Sequence, residues 1–396
     1  MTPPARIQAA IDCLDAIIHA AREGGAAADT LIARYFQTRR YAGSKDRRAV
    51  RELIYAAIRS VGERPASGRS AMLAHARAHD PALLDLFDGG PHSPAAIVPG
   101  EPEARSGLAP AWLVGRLRAR FGNDTDGQLA ALLTRAPLDL RVNTLKATRD
   151  AVAAELDADP VALIDTALRV RGDLNVETLP AYHDGRIEVQ DAGSQFAAAA
   201  CEAVPGETVV DLCAGAGGKT LALAATMQGV GRLIAADTDR ARLRQLDPRA
   251  VRAGATIETR LLDPGKEAAA LSDLRGACDL VLVDAPCSGT GTWRRNPEAR
   301  WRLTPDRLAR FVAEQGRLLT LAATLVRPGG RLIYVVCSLL PEEGEGVVDA
   351  FLAQTADWSP LPIRNPMGGA PVIKGVLTPG AQGCDGFFLG GLTRVC

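Results

Sequence analysis

Residues 208–220 read TVVDLCAGAGGKT. The first five residues have the apolar, β-branched character of a buried strand, and the glycines follow where a helix would begin. Glycine lets the backbone approach a ligand at a point where any Cβ would collide with it. Two common phosphate-binding patterns do not fit: a P-loop needs glycine where Cys213 stands, and a dinucleotide fingerprint needs a small residue where Thr220 stands. The stretch therefore predicts the ligand-binding strand and turn of an α/β fold without phosphate recognition.

This strand opens a regular alternation of short apolar strands with helical segments. The strand-like segments, in order, are TVVDL, RLIAAD, TIETRLLD, CDLVLVDAP, RLIYVVCS and GFFLGGL. Strands at this rhythm indicate an α/β fold, a Rossmann-like domain with a mostly parallel sheet covered on both faces by helices. Such sheets bind ligands outside the carboxyl ends of their strands, so functional residues are expected there.

The amino-terminal part has a different pattern. Segments such as IQAAIDCLDAIIHAA and DRRAVRELIYAAIRSV place apolar residues three and four apart, which predicts helices. A Pro- and Gly-rich stretch without periodicity follows and is typical of a linker. Beyond it, two helical segments precede LDLRVNTLK, which has the pattern of a strand and a turn. We predict four segments: an all-helical domain (1–88), a linker (89–107), a small α/β module (108–185) and the Rossmann-like domain (186–396).

The composition argues against several classes of protein. The 396 residues are 47% hydrophobic and 23% charged, which is ordinary for a globular chain of two or three domains. The eight cysteines are scattered without a C-x-x-C pair, so neither a zinc site nor a disulfide framework is indicated, and a reducing cytoplasm fits best. No apolar run reaches the roughly 20 residues of a membrane span. We expect a cytoplasmic monomer without a metal and without membrane attachment.

Acidic residues follow the next two strands. Asp237 ends the second strand, where it can accept hydrogen bonds from a ribose diol. Asp263 ends the third strand, where it can accept a hydrogen bond from an adenine amino group. A glycine-rich turn with these two acids describes a nucleoside site without phosphate recognition, and S-adenosylmethionine is the natural ligand for it.

Cysteines follow the fourth and fifth strands. The fourth ends in Asp284-Ala-Pro-Cys287, and the fifth brings Cys337 to the same edge if the two strands are neighbours. A thiol suits a carbon target, because adding a thiolate to C6 of cytosine makes C5 enamine-like. Asp284 can hydrogen-bond N3 and the 4-amino group of the ring as charge builds there. These residues predict methylation of cytosine C5, and the chemistry alone leaves open which cysteine attacks.

Six motifs carry a resemblance to a known family. They are LRVNTLK (140–146), VQDAGSQ (189–195), DLCAGAGGKT (211–220), VDAPCSGTGTWRRNPEARW (283–301), YVVCSLLPEEGE (334–345) and DGFFL (385–389). In this order and spacing the chain resembles the Sun-type (Fmu-type) RNA cytosine-5 methyltransferases, the bacterial branch that modifies 16S ribosomal RNA. The resemblance covers most of the chain and implies RNA, specifically 16S rRNA, as the substrate.

The resemblance also implies roles for individual residues. It makes Cys337 the nucleophile and Cys287 the residue that assists product release, with Asp284 as a third catalytic residue. It implies that S-adenosylmethionine is held or bordered by Cys213, Ala214, Gly215, Ala216, Gly217, Gly218, Lys219, Asp237, Asp263 and Asp284. Two positions depart from the family pattern: Val336 stands where Thr is common, and Gly344 where Asn is common. Neither departure removes a reacting group.

The amino-terminal part resembles the NusB-like RNA-binding domain of these enzymes through DRRAVRELIYAAIR (46–59). Although the net charge of the chain is zero, eight basic residues lie between Arg34 and Arg59 against two acids, which suits phosphate contacts. The residues predicted to bind RNA are Arg39, Arg40, Lys45, Arg47, Arg48, Arg141, Arg294 and Arg295. A solvated helix face is the other interpretation of such clusters. The target cytosine must be unstacked to reach both thiols, so a single-stranded or loosely structured site is expected.

Three alternative functions stay open on the sequence. A tRNA substrate differs from an rRNA substrate in no motif apart from the NusB-like part. DNA cytosine methylation is disfavoured, because those enzymes follow the strand-four cysteine with a Glu-Asn-Val segment that is absent here. A non-catalytic RNA-binding ribosome assembly factor is disfavoured, because both thiols and the glycine turn are present.

Overall fold

Two β-sheets form the frame of the computed structural model, which describes residues 1–395. The strands are β1 (Asp139–Val142), β2 (Ala158–Pro160), β3 (Ala167–Val170), β4 (Ile187–Val189), β5 (Thr208–Leu212), β6 (Arg232–Asp237), β7 (Glu258–Leu261), β8 (Cys278–Asp284), β9 (Val326–Val336), β10 (Trp358–Leu361), β11 (Lys374–Leu377) and β12 (Phe387–Arg394). The six strands predicted for the carboxyl-terminal domain correspond to β5–β9 and β12.

The helices alternate with these strands along the chain, and the first six precede the first strand. They are α1 (Pro3–Glu23), α2 (Ala28–Gln37), α3 (Ser44–Ser60), α4 (Gly68–His79), α5 (Ala111–Phe121), α6 (Thr125–Leu132), α7 (Arg149–Glu155), α8 (Pro180–His183), α9 (Ala192–Ala199), α10 (Gly218–Thr226), α11 (Arg240–Leu243), α12 (Leu246–Ala253), α13 (Glu267–Ala270), α14 (Ala299–Arg302), α15 (Pro305–Ala323), α16 (Glu345–Gln354) and α17 (Pro379–Gln382). Within residues 1–395, none of them is long and apolar enough to cross a membrane.

The chain divides into two compact units. Unit 1 comprises Met1–Arg135 and Thr292–Pro305, and unit 2 comprises Ala136–Gly291 and Asp306–Cys396. These bounds differ from the four predicted segments, because α5 and α6 fall in unit 1 with the amino-terminal helices. Between the two parts of unit 2, the short segment Thr292–Pro305 belongs to unit 1.

Unit 1 contains the helices predicted for residues 6–88. α1, α3 and α4 bury apolar residues at three-and-four spacing, and their shared core includes Leu14, Ile17, Ile54, Ile58 and Met72. A capping box begins α4, in which the hydroxyls and amides of Ser67 and Ser70 bond reciprocally. The helical character of this part is confirmed, whereas its likeness to NusB stays a prediction.

The stretch predicted as a linker packs against α4 of unit 1. Residues 89–107 form no helix or strand, but the amide of Ala104 donates to the carbonyl of Ser70 over 3.0 Å. Arg69 of α4 forms an ion pair with Glu101. These contacts anchor the stretch on α4, so its Pro and Gly content reflects an irregular packed segment.

The segment Thr292–Pro305 contains two arginines that cap helices of unit 1. Arg300 is fully buried, and its Nη2 donates to the carbonyls of Ile58 and Val61 at the end of α3, over 2.6 and 2.9 Å. Arg302 donates to the carbonyls of Gly25 and Ala26, just past the end of α1. Cations at helix carboxyl ends satisfy free carbonyls and oppose the negative end of the helix dipole. Two arginines of the segment WRRNPEARWR (293–302) therefore serve the fold of unit 1.

The smaller sheet of unit 2 has the strand order β2-β3-β1-β4, and each strand pairs antiparallel with its neighbour. The RVNTLK motif ends its strand β1 and ties this sheet to α12. The amide of Asn143 donates to the carbonyls of Gly185 and Ala253 over 2.9 and 2.8 Å, and Lys146 donates to the carbonyl of Arg252 over 2.7 Å. These bonds satisfy carbonyls at the end of α12, so the motif has a structural role.

The larger sheet has the strand order β10-β12-β9-β8-β5-β6-β7, with β11 paired to β12. Strands β5–β9 are parallel, and β12 pairs antiparallel with β9, β10 and β11. The mostly parallel sheet is therefore confirmed. β8 and β9 are direct neighbours, so the carboxyl ends of the two cysteine-bearing strands lie side by side.

Candidate active site

The turn between β5 and α10 has a backbone that requires glycine. Gly217 has φ +82°, and a Cβ at this position would lie 2.2 Å from Cδ1 of Leu246. The amide of Gly215 donates to Asp237 at the end of β6 over 2.6 Å. Cys213 also has a positive φ, of 74°, which is a strained conformation for a residue with a side chain. The turn is thus fixed against the end of β6, with Asp237 held in place.

A cavity of about 330 Å³ opens at the carboxyl ends of the parallel strands. Five residues singled out by the sequence line it: Cys213, Asp237, Asp284, Cys287 and Cys337. The other residues of the predicted cofactor turn, 214–219, follow Cys213 directly and lead into α10. The ends of the strands therefore bring the predicted turn, the acid predicted to bind the ribose and both thiols to one place.

Asp263, the acid predicted to bind the adenine amino group, lies outside this cavity. Asp263 is exposed and does not line the cavity, whereas Glu267, four residues later, is buried and does. Arg317 of α15 donates to Glu267 over 2.8 Å. The sequence did not indicate four charged residues of the cavity, because they come from helices and loops without a motif. They are Glu267, Arg317, Arg242 and Glu314.

Lys219 and Asp284 form an ion pair inside the site. Nζ of Lys219 lies 2.7 Å from Oδ2 of Asp284, and the lysine is buried while the acid is about one third exposed. Burial alone would lower the pKa of Lys219, but the charge and hydrogen bond of Asp284 raise it above its ordinary value. Lys219 is therefore a permanent cation at this edge of the sheet, and the charge of Cys337 also acts on it.

The two thiols are in contact. Sγ of Cys287, three residues past β8, lies 3.3 Å from Sγ of Cys337, the first residue past β9. The hydrogen bond to Cys337 raises the pKa of Cys287 well above its ordinary value, and burial and the negative charges of Cys337 and Glu343 act in the same direction. Cys287 thus keeps its proton and can donate it to the neighbouring sulfur.

A buried carboxylate joins the two thiol-bearing loops. Glu343 accepts hydrogen bonds from the amide and hydroxyl of Ser288 and from the hydroxyl of Ser338, which are the residues that follow the two cysteines. Gln315 of α15 donates to the same carboxylate over 3.0 Å and to the carbonyl of Pro286 over 2.9 Å. The sequence placed Glu343 in a motif without giving it a role.

The loop after β8 also lies against the start of β12. The amide of Gly291 donates to the carbonyl of Cys337 over 3.0 Å, and the amide of Gly386 donates to the carbonyl of Gly291 over 2.8 Å. A Cβ on Gly291 would lie 2.0 Å from the carbonyl oxygen of Gly386. This close backbone approach gives a physical reason for glycine in both the SGTG and the DGFF sequences.

Two family descriptions match the chain. Residues 198–393 match the family described as 16S rRNA methyltransferase RsmB/F, and residues 109–177 match its ferredoxin-like domain. The probable ribosomal RNA small subunit methyltransferase B of Synechocystis is 36% identical over 301 residues, which are 72% of this chain and 66% of that protein. The corresponding protein of Shewanella oneidensis is 32% identical, over 74% of this chain and 69% of its own length.

A solved structure extends the likeness over the full length. The crystal structure of PH0851 has a TM-score of 0.79 and 26% identity, with 100% of both chains covered. The chain belongs to the RsmB/F family of 16S rRNA methyltransferases. It spans about two thirds of the length of the two named bacterial relatives. As an RsmB/F family member it is an RNA methyltransferase that uses S-adenosylmethionine.

The cavity of this RsmB/F member fits that cofactor. Leu212, Leu262 and Leu318 give it apolar wall suited to an adenine ring. Its carboxylates include Asp237, which is predicted to bind the ribose, and Asp284 near the thiols, and a negative lining favours a sulfonium cation. The residues that would hold the cofactor are therefore those of the turn, the end of β6 and the end of β8.

The residues predicted to bind RNA differ in exposure. Arg40, Lys45, Arg47 and Arg48 are exposed around the start of α3, and Arg39 lies over the ring of Tyr35 at 3.6 Å. Arg295 is half-buried. Two others are buried, because Arg141 lies in the small sheet and Arg294 donates to the carbonyl of Arg135 within unit 1. The exposed group around α3 is the part of the prediction whose side chains are open to solvent.

Proposed function

We propose that this chain methylates C5 of a cytosine in RNA through a covalent cysteine adduct at C6, with 16S rRNA as its substrate. The observation that carries the proposal is the 3.3 Å contact between Cys287 and Cys337 at the wall of the cofactor cavity, beside Asp284. Methylation of an exocyclic amine or a hydroxyl needs no thiol. Two thiols at this place favour a carbon that must be activated by nucleophilic addition.

The addition explains what each atom does. The thiolate Sγ forms a bond to C6, and the electrons of the C5–C6 double bond make C5 a nucleophile. When bound, S-adenosylmethionine supplies an electrophilic methyl group. Afterwards the proton on C5 must leave as the Sγ–C6 bond breaks, which restores the double bond and the free thiolate. A base near C5 is needed for this last step.

The contacts around the thiols favour Cys337 as the nucleophile. The hydrogen bond with Cys337 and burial raise the pKa of Cys287 well above its ordinary value, so Cys287 stays a thiol and is a poor nucleophile. Lys219 interacts electrostatically with Cys337, and a neighbouring cation favours the thiolate, which is the reactive form of cysteine. Cys287 is then suited to the later step, the release of the product.

Asp284 is suited to bind the cytosine ring. Its Oδ2 accepts from Lys219, and its partial exposure in the cavity wall leaves acceptor capacity for the 4-amino group of the cytosine. Charge develops on N3 when the thiolate adds to C6, so a positioned acid–lysine pair stabilises that state more than the free base. The same pair then both orients the base and supports the thiolate.

The test is a denaturing gel of protein incubated with S-adenosylmethionine and total RNA. We expect Cys287→Ala to accumulate a slow-migrating, RNA-dependent adduct, and we expect Cys337→Ala and the double variant to form none and to lose turnover. Cys278→Ala is the matched control, because Cys278 is buried at the opposite end of β8, about 20 Å away at 3.3 Å per residue. An adduct that requires Cys287 would reverse the two roles, and normal turnover without either thiol would refute the mechanism.

The RNA in the adduct tests the substrate. Sequencing of the trapped RNA should give a cytosine of 16S rRNA. Recovery of tRNA instead would replace the substrate while leaving the chemistry in place. RNA binding without methyl transfer would favour a non-catalytic assembly factor.

A further inference from the structure

Arg141 is a buried charge without hydrogen bonds at two of its nitrogens. It lies on β1, the strand of the small sheet that pairs on both sides, and is 3% exposed. Its Nε and Nη1 are buried, and neither has a partner within the described residues. Buried polar groups are nearly always paired, and an unpaired buried charge is costly. A guanidinium in this state requires an explanation.

The nearby acid does not supply the missing partner. Glu188 is the residue opposite Arg141 on β4, but its carboxylate accepts from Arg249 over 3.0 Å and also from Arg252. One carboxylate therefore faces three guanidinium groups. Burial lowers the pKa of Arg141 to about 10, which still leaves it charged at neutral pH. The group as a whole carries an excess of positive charge.

Arg141 lines a small cavity, called here the Arg141 cavity, of about 170 Å³. Its polar lining is Arg141, Thr144, Asp165, Thr166, Gln195, Thr226 and Arg364. A water occupies roughly 30 Å³ in the liquid, so this volume has room for about five heavy atoms. A tetrahedral oxyanion has five heavy atoms and therefore fits. Arg364 is exposed at the cavity and lies over the buried ring of Phe196 at 5.9 Å. The cavity thus combines a buried guanidinium with one at its surface.

Two other groups at the cavity have negative charge or potential, the carboxyl end of α10 and Asp165. The helix α10 ends there at Thr226, but the carbonyls of Leu223, Ala224 and Ala225 already accept from the amides of the residues that follow the helix. Asp165 lines the cavity as well and is exposed, so solvent screens its charge. Neither group removes the excess of positive charge beside Arg141.

We propose that the Arg141 cavity is a phosphate-binding site, in which the guanidinium groups of Arg141 and Arg364 bind the oxygens of one phosphate group. Arginine suits this role because its planar donors match phosphate oxygens in pairs. The phosphate belongs either to the backbone of the RNA substrate or to a free phosphate or mononucleotide. The site is separate from the thiols and does not depend on which base is methylated.

The first experiment measures thermal unfolding with and without inorganic phosphate, against potassium chloride at matched ionic strength. We expect phosphate to raise the Tm of the wild type and of Arg171→Gln by linkage, since Arg171 is an exposed arginine directly after β3. Arg141→Met and Arg364→Gln should lose that rise. Arg364→Gln keeps the test valid if Arg141→Met does not fold, since Arg364 is exposed.

The second experiment separates the two sources of phosphate. It measures the binding of a single-stranded RNA over a series of salt concentrations for the same proteins. Loss of one phosphate contact lowers the slope of log K against log salt by about 0.7 in either cavity variant, which would assign the site to the RNA backbone. An unchanged slope with a lost phosphate response would assign it to a free phosphate. No phosphate-dependent Tm rise in the wild type together with unchanged slopes would overturn the proposal.

Discussion

Removal of the Glu343 carboxylate should loosen both thiol-bearing loops at once. In Glu343→Ala the two hydroxyls can still bond each other, because Oγ of Ser288 and Oγ of Ser338 are 3.1 Å apart. The amides of Ser288 and Gln315, now 2.8 and 3.0 Å from Glu343, lose a buried acceptor. An unsatisfied buried donor costs about 1–3 kcal/mol, so the free energy of unfolding should fall by about 2–6 kcal/mol. Glu343→Gln keeps one acceptor oxygen and should lose roughly 1–2 kcal/mol.

Urea denaturation measures the stability change, and single-turnover methyl transfer measures the effect on catalysis. Misplacement of reacting groups by about 1 Å costs on the order of 100-fold in rate, so Glu343→Ala should lose far more activity than its folded fraction accounts for, with partial rescue in Glu343→Gln. Asp349→Ala on α16 is the control, because its exposed pair with Lys374 contributes little. Full stability and full rate in Glu343→Ala would refute the argument that this carboxylate positions the thiols.

Three further predictions concern other parts of the chain. Burial raises the pKa of Asp211 to about 7, above the unfolded value near 4, so its contribution to stability is complete below pH 4 and is lost as the pH rises through 7. Asp211→Asn should therefore show a smaller loss of stability between pH 5 and 8 in urea titrations, by about 3 kcal/mol, and parallel curves would contradict this. Charge reversal at Arg47 and Arg48, which are exposed on α3, should weaken RNA binding and reduce its salt dependence, whereas an unaltered salt slope would make them a solvated face. A Cβ at Gly344 would lie 2.7 Å from the ring of Phe388, so Gly344→Asn should destabilise the protein by about 1–3 kcal/mol in thermal unfolding, and an unchanged Tm would show that the ring yields without cost.

Much of the carboxyl-terminal fold was predictable, because its strands are short apolar runs that end in polar residues. The rule that ligands bind at strand ends was enough to predict that Asp237, Asp284 and the two cysteines share a site. The rule did not identify Glu267, because the path of the loop after β7 decides which of the acids that follow reaches the cavity. Asp263 is at the predicted position in sequence, yet its side chain faces solvent.

The basic clusters show where sequence reasoning stops. Arg47 and Arg48 are exposed, whereas Arg141, Arg294 and Arg300 are buried, although all five belong to arginine-rich segments. A charge pattern reports composition along the chain, while burial depends on which carbonyls and cavities the fold brings to each side chain. Local spacing therefore does not distinguish a helix-capping arginine from one that is free to bind RNA.

The sequence by itself determined the α/β class, the helical amino-terminal part, the glycine turn and the identity of the two thiols, since each depends on local pattern or on residue type. Only the tertiary structure decided that the sulfurs of Cys287 and Cys337 touch, that Glu343 joins their loops and that Arg141 is buried beside a cavity. The two cysteines are 50 positions apart in the chain, and Glu343 is 55 positions from Ser288. The burial of Arg141 depends on the packing of the small sheet. Strand order and burial set such distances, and both follow from the whole core rather than from any one segment.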